Sequence, residues 1–130
     1  MTIEAPKKLL IIDDEQDIRQ VVQITLEITA DIESELCSSG AMALEYLQHA
    51  SVDLILLDVM MPGMDGPETL KQIKNNPKTA DIPVIFMTAK VQAHEVDAYY
   101  QLGVIGVISK PFNPRSLVGS VMDFWNKYHE

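Results

Sequence analysis

The chain has 130 residues, 47% of them apolar and 22% charged, with a net charge of −9. That size and apolar content allow one domain with its own core, while the acidic balance argues against direct contact with nucleic acid, whose phosphates need a basic surface. A single cysteine, Cys37, cannot form an internal disulfide, and neither a secretory signal nor a run long enough to span a membrane is visible, so a cytoplasmic protein is expected.

Residues 1–6 read as a loose tail ahead of one domain over 7–130. "KLLIID" (8–13) reads as a strand, and 15–29 as a helix with Ile18, Val21, Val22, Leu26 and Ile28 in its apolar register. "ESELCS" (33–38) alternates weakly as a second strand. A helix follows over 40–50, with Met42, Ala43, Tyr46 and Leu47 as its apolar residues. "LILLD" (54–58) is an apolar run of the kind buried on both faces. Pro67 suits a first helical turn, so 67–75 is a helix, broken by Asn75, Asn76 and Pro77. "PVIFMT" (83–88) is the fourth strand, 91–102 a helix stopped at Gly103, and "GVIS" (106–109) the fifth strand. Asn113 can cap a last helix that has Pro114 at its first position and runs to Tyr128. Its stripe of Leu117, Val118, Val121, Phe124, Trp125 and Tyr128, widened by Met122, exceeds one buried face and leaves surplus for a partner.

Five strand–helix alternations predict an α/β fold, a parallel sheet with helices on both faces. Chemistry in such sheets gathers at the carboxyl ends of the strands. There the first strand supplies Asp13 and Asp14, the third Asp58, the fourth Thr88 and the fifth Lys110. Each has an ordinary alternative: helix-start acids, a turn cap, a strand-end hydroxyl, a surface cation. Together they fit a different chemistry. Three carboxylates at one edge call for a hard cation such as Mg²⁺, and a metal-neutralised Asp58 can act as a nucleophile toward phosphorus. Thr88 and Lys110 are then placed to donate to phosphoryl oxygens.

The segments "IIDDE", "LILLDVMMPGMDG", "PVIFMTAK" and "ISKPF" resemble the receiver domain of bacterial two-component response regulators, of the chemotaxis-receiver type. The resemblance covers residues 8–128. It implies a doubly wound, flavodoxin-like sheet of order 2-1-3-4-5. It also implies Asp58 as the phosphorylated residue, with Mg²⁺ held by Asp14, Asp58 and the Met60 carbonyl and by Asp13 through water. Thr88 and Lys110 would bind the phosphoryl group, and the Lys110–Pro111 peptide would be cis. A histidine kinase or histidine phosphotransfer protein would be the donor. The surface of helix 91–102, strand 106–109 and the last helix would dock a target or pair two copies. The chain would be a stand-alone regulator or part of a longer protein, modifying itself and not turning over a substrate.

Two departures bear on mechanism. Receivers often carry an aromatic three residues before the lysine, and here that residue is Val107. The positions flanking the line of attack on the phosphoryl group are Met60 and Lys90, neither suited to orienting a water, which predicts a long-lived phosphorylated form. Two other readings remain: a phosphohydrolase of the haloacid-dehalogenase type, although "LDVMM" lacks the second acid of its D-x-D motif, and a pseudo-receiver that only binds partners. His49, His94 and His129 lack metal-ligand spacing and read as surface residues.

Overall fold

The computed structural model describes residues 3–130. Five strands, β1 (Lys8–Ile12), β2 (Glu33–Cys37), β3 (Leu54–Asp58), β4 (Val84–Thr88) and β5 (Gly106–Ser109), alternate with five helices. The helices are α1 (Gln16–Ala30), α2 (Gly40–Leu47), α3 (Gly66–Asn75), α4 (Ala93–Gln101) and α5 (Pro114–Tyr128). All strand pairs are parallel, and the sheet order is β2-β1-β3-β4-β5. The parallel pairing is the one expected from the strand–helix alternation, and the order is the one that the receiver resemblance implies.

The alternation of side chains along each strand divides the core in two. Leu9, Ile11, Leu54, Leu56, Ile85 and Met87 point to the face covered by Val22 and Leu26 of α1 and by Leu117, Val121 and Trp125 of α5. Leu10, Ile12, Ile55, Leu57, Val84 and Phe86 point to the other face, under Ala43 and Leu47 of α2, Leu70 and Ile73 of α3, and Tyr99 of α4. Each such side chain, removed from water, contributes about 2 kcal/mol before entropy is counted. The clean run "LILLD" follows from burial on both faces: every residue of β3 is buried.

Helix ends follow local chemistry. Asp65 caps α3 by accepting from the Glu68 N–H at 2.9 Å, so the helix begins at Gly66, just before Pro67. Asn113 caps α5 by accepting from the Arg115 N–H at 2.9 Å. Gly103 takes φ +105 just beyond α4.

Three expected core faces are corrected. In α1 the residues that pack inward are Ile18, Val22 and Leu26, an i, i+4, i+8 row. Val21 and Ile28 leave that row and are 40% and 81% exposed, as is Ile24 at 54%. Met42 and Tyr128 are likewise turned to solvent. The segment expected as a tail is tied down over its described part. Pro6 is buried, Ile3 packs on the α1–α5 core, and the Trp125 indole donates to the Glu4 carbonyl at 2.8 Å. Residues 1 and 2 lie outside the described residues. Among those described, no helix is long and apolar enough to cross a membrane.

Candidate functional site

The carboxyl ends of four strands converge on one rim. β1 stops at Ile12 and leaves Asp13, fully buried, and Asp14, exposed, in the turn to α1. β3 delivers Asp58 as its last residue, only 3% exposed. Carboxylate oxygens of Asp13, Asp14 and Asp58 lie within 4.8 Å of one another. β4 ends on the buried Thr88, whose hydroxyl oxygen accepts from the Lys90 N–H at 3.0 Å, leaving its proton free to donate elsewhere. Past β5, the Lys110 N–H donates to the Thr88 carbonyl at 2.8 Å, which fixes the lysine beside the acids. The Lys110–Pro111 peptide is cis.

The Lys110 ammonium donates to Asp13 Oδ2 at 2.7 Å and lies 3.2 Å from Asp58 Oδ1 and 3.7 Å from Glu15. Burial pulls the ammonium down, but the Asp13 bond and the two aspartate charges outweigh that and hold it above the ordinary lysine value. Asp58 responds the other way. Burial first, then the charge of Asp13, pushes it up to about 6, against the pull of Lys110. One ammonium thus under-compensates the acids. A hard cation would relieve this cluster, and its donors are all oxygens, the set Mg²⁺ and similar ions prefer. The site fits a divalent metal.

The loop after Asp58 completes the rim. The Met60 N–H points at Asp58 Oδ1, 3.4 Å away. Gly66 lets α3 close onto the strand end: a Cβ there would fall 2.6 Å from the Asp58 carbonyl. A cavity of about 530 Å³ opens between this loop and α4, lined by Met60, Met61, Asp65, Lys90, His94 and Tyr99 among others. Val107 packs against the core cluster that holds Phe86, Tyr99 and Val104. Within that cluster Phe86 and Tyr99 meet edge to face at 5.3 Å.

A family model described as the response regulator receiver domain matches residues 9–122. The chain belongs to the response regulator receiver domain family. As a receiver it is 36% identical over 112 residues to the response regulator Rre1 of Synechocystis sp., covering 86% of this chain and 48% of that protein. It is also 36% identical over 124 residues to SaeR of Staphylococcus aureus, covering 93% of this chain and 53% of SaeR. This receiver therefore spans about half the length of the curated relatives it matches. Among solved structures it superposes on the chemotaxis response regulator CheY4 of Vibrio cholerae with a TM-score of 0.85 at 32% identity, covering 92% of this chain and 99% of that one.

The receiver's fold brings together the side chains of Asp13, Asp14, Asp58 and Lys110 singled out at the strand ends, and ties Thr88 to Lys110 through the backbone. Two neighbours escaped the sequence reading. Glu15 reaches Lys110, and the exposed His94 lines the cavity beside Met60. His94 sits in the first turn of α4, 36 residues from Asp58 in the sequence, and no spacing links them.

Proposed function

We propose that this receiver accepts one phosphoryl group on Asp58 from a histidine kinase or histidine phosphotransfer protein, with Mg²⁺ bound. The observation that carries the reading is the buried Asp58 carboxylate, grouped with Asp13 and Asp14 and facing Lys110 at 3.2 Å. Asp14, Asp58 and the Met60 carbonyl would hold the ion, with Asp13 joining through water. When bound, the ion supplies positive charge that neutralises the acids and draws electrons from the phosphoryl oxygens.

An Asp58 carboxylate oxygen attacks phosphorus, and the P–N bond to the donor imidazole breaks as the acyl-phosphate O–P bond forms. The Thr88 hydroxyl and the Lys110 ammonium donate to the phosphoryl oxygens as charge collects there. Met60 and Lys90, two residues after Asp58 and Thr88 and both lining the cavity between the Met60 loop and α4, flank the approach of water. Neither orients one for attack, so the phosphorylated state is long-lived.

The donor protein lands on the exposed face of α1. Val21, Ile24 and Ile28 form an i, i+3, i+7 apolar stripe leading away from the acidic rim, a surface with no role in this chain's core. The output face is α4, β5 and α5, where Tyr100, Val104, Ile105, Phe124, Lys127 and Tyr128 line a cavity of about 300 Å³. A target protein or a second copy docks there. The receiver module spans 7–130 together with the segment from Ile3 to Pro6 packed onto it, makes no direct contact with nucleic acid or membrane, and works in the cytoplasm. There Cys37, buried and with its thiol pushed up to about 11 by burial, is inert.

The competing reading, an aspartate-nucleophile phosphohydrolase, shares the covalent step but turns over. With Mg²⁺ and excess p-nitrophenyl phosphate, the receiver reading predicts no sustained release of nitrophenolate. Steady release abolished by Asp58→Asn would favour the hydrolase.

A further inference from the structure

We propose that Met60 is a redox modification site whose oxidation to the sulfoxide shortens the life of the phosphorylated receiver. The lifetime part of this inference rests on phosphorylation at Asp58. Three methionines, Met60, Met61 and Met64, stand within five residues of loop directly after the acceptor. Their sulfurs are not equivalent. Met61 is buried at 7% exposure, and the Met64 thioether is folded against Gly40, 3.2 Å from where a Cβ there would sit. Met60 is 57% exposed and lines the cavity it shares with Lys90 and His94. Met42, at 49% the other exposed methionine among the described residues, has its sulfur 3.7 Å from the Ser38 hydroxyl and does not line that cavity.

Hydrogen peroxide is the oxidant. The Met60 sulfur attacks one peroxide oxygen, the O–O bond breaks, the sulfur is oxidised by two electrons to the sulfoxide, and water leaves. The change replaces a weak acceptor with a strong one two residues from Asp58, in a cavity that Lys90 also lines. The unoxidised side chain excludes water from the approach to phosphorus, whereas a sulfoxide oxygen holds a water there. The backbone carbonyl of Met60 is untouched, so metal binding is not the quantity that changes. Reduction by a methionine sulfoxide reductase would restore the slow state.

The experiment treats the phosphorylated protein with dilute hydrogen peroxide, maps oxidised methionines by peptide mass, and follows loss of acid-labile phosphate in treated and untreated samples. Met60 oxidises ahead of Met42, and loss becomes several-fold faster and slows again after reductase treatment. In Met60→Leu the treated and untreated samples decay alike. Met60→Gln, which carries a permanent amide oxygen, decays fast without peroxide. Equal decay of treated and untreated parent, or prior oxidation of Met42, overturns the proposal. Failure of the untreated protein to take up any phosphate strikes the Asp58 reading instead.

Discussion

Burial, and after it the neighbouring Asp13 carboxylate, raises Asp58 from 3.8 to about 6. In metal-free protein this carboxylate is therefore a source of instability that the fold tolerates for the sake of the rim. The folded state holds the proton more tightly than the unfolded one. Between the two values the unfolded chain binds fewer protons, so stability falls as pH rises through that window. The full contribution is present below 3.8 and is lost above about 6. Asp58→Asn removes the charge while keeping the shape. In chelator at pH 8 it should stabilise the protein by on the order of 2 kcal/mol, seen as a higher Tm, and the gap should close near pH 4. A variant equal to the parent at both pH values would mean that Lys110 fully compensates Asp58. Lys110 itself is different: its ammonium serves Asp13 and Asp58 together, so removing it strands two buried acids.

Among the helices, α4 buries the fewest side chains and α1 exposes the most large apolar residues. α4 buries a single side chain, Tyr99, and α1 buries Val22 and Leu26 while exposing Val21, Ile24 and Ile28. If the stripe on α1 is the donor's landing face, Ile24→Glu should slow transfer from a phosphohistidine protein at least tenfold, a typical hot-spot loss, while uptake from acetyl phosphate stays the same. Equal slowing with both donors would place the defect in the rim. This stripe also marks where sequence reading fell short. Residues 18, 21, 22, 24, 26 and 28 of α1 are all apolar, so periodicity alone cannot say which arc faces the sheet. Only the packing of Val22 and Leu26 against β1, β3 and α5 decides it. The strands were legible for the opposite reason. A run such as "LILLD" has no polar face to misassign, and Asp58 stands out because a buried acid at its end has no apolar explanation. The cavity between the Met60 loop and α4 was not legible, since it joins residues 59–65 to 90–99, which meet only when β3 and β4 pair.

For the whole molecule, the rim and the proposed output face of α4, β5 and α5 are joined by β4 and β5. Thr88 ends β4 and is bonded through its carbonyl to Lys110, and Phe86 two residues earlier carries Tyr99 of α4 on its ring edge. On the proposed function, with Val107 in place of an aromatic ring, a shift at Thr88 would reach α4 through the contact between Phe86 and Tyr99. At the far end Phe124 of α5 lies on Gly106 of β5, so close that a Cβ there would fall 2.4 Å from the ring. On phosphorylation, amide exchange should change in α4, β5 and α5 and not in α2. Unchanged exchange there, with the mass in solution unaltered, would remove the output face from the account. All of this depends on phosphate reaching Asp58, and the most direct measurement is intact mass after incubation with acetyl phosphate. With Mg²⁺ the protein should gain one phosphoryl group, lost in excess chelator and absent in Asp58→Asn. The same gain in Asp58→Asn, or an undiminished gain in chelator, would contradict the central claim.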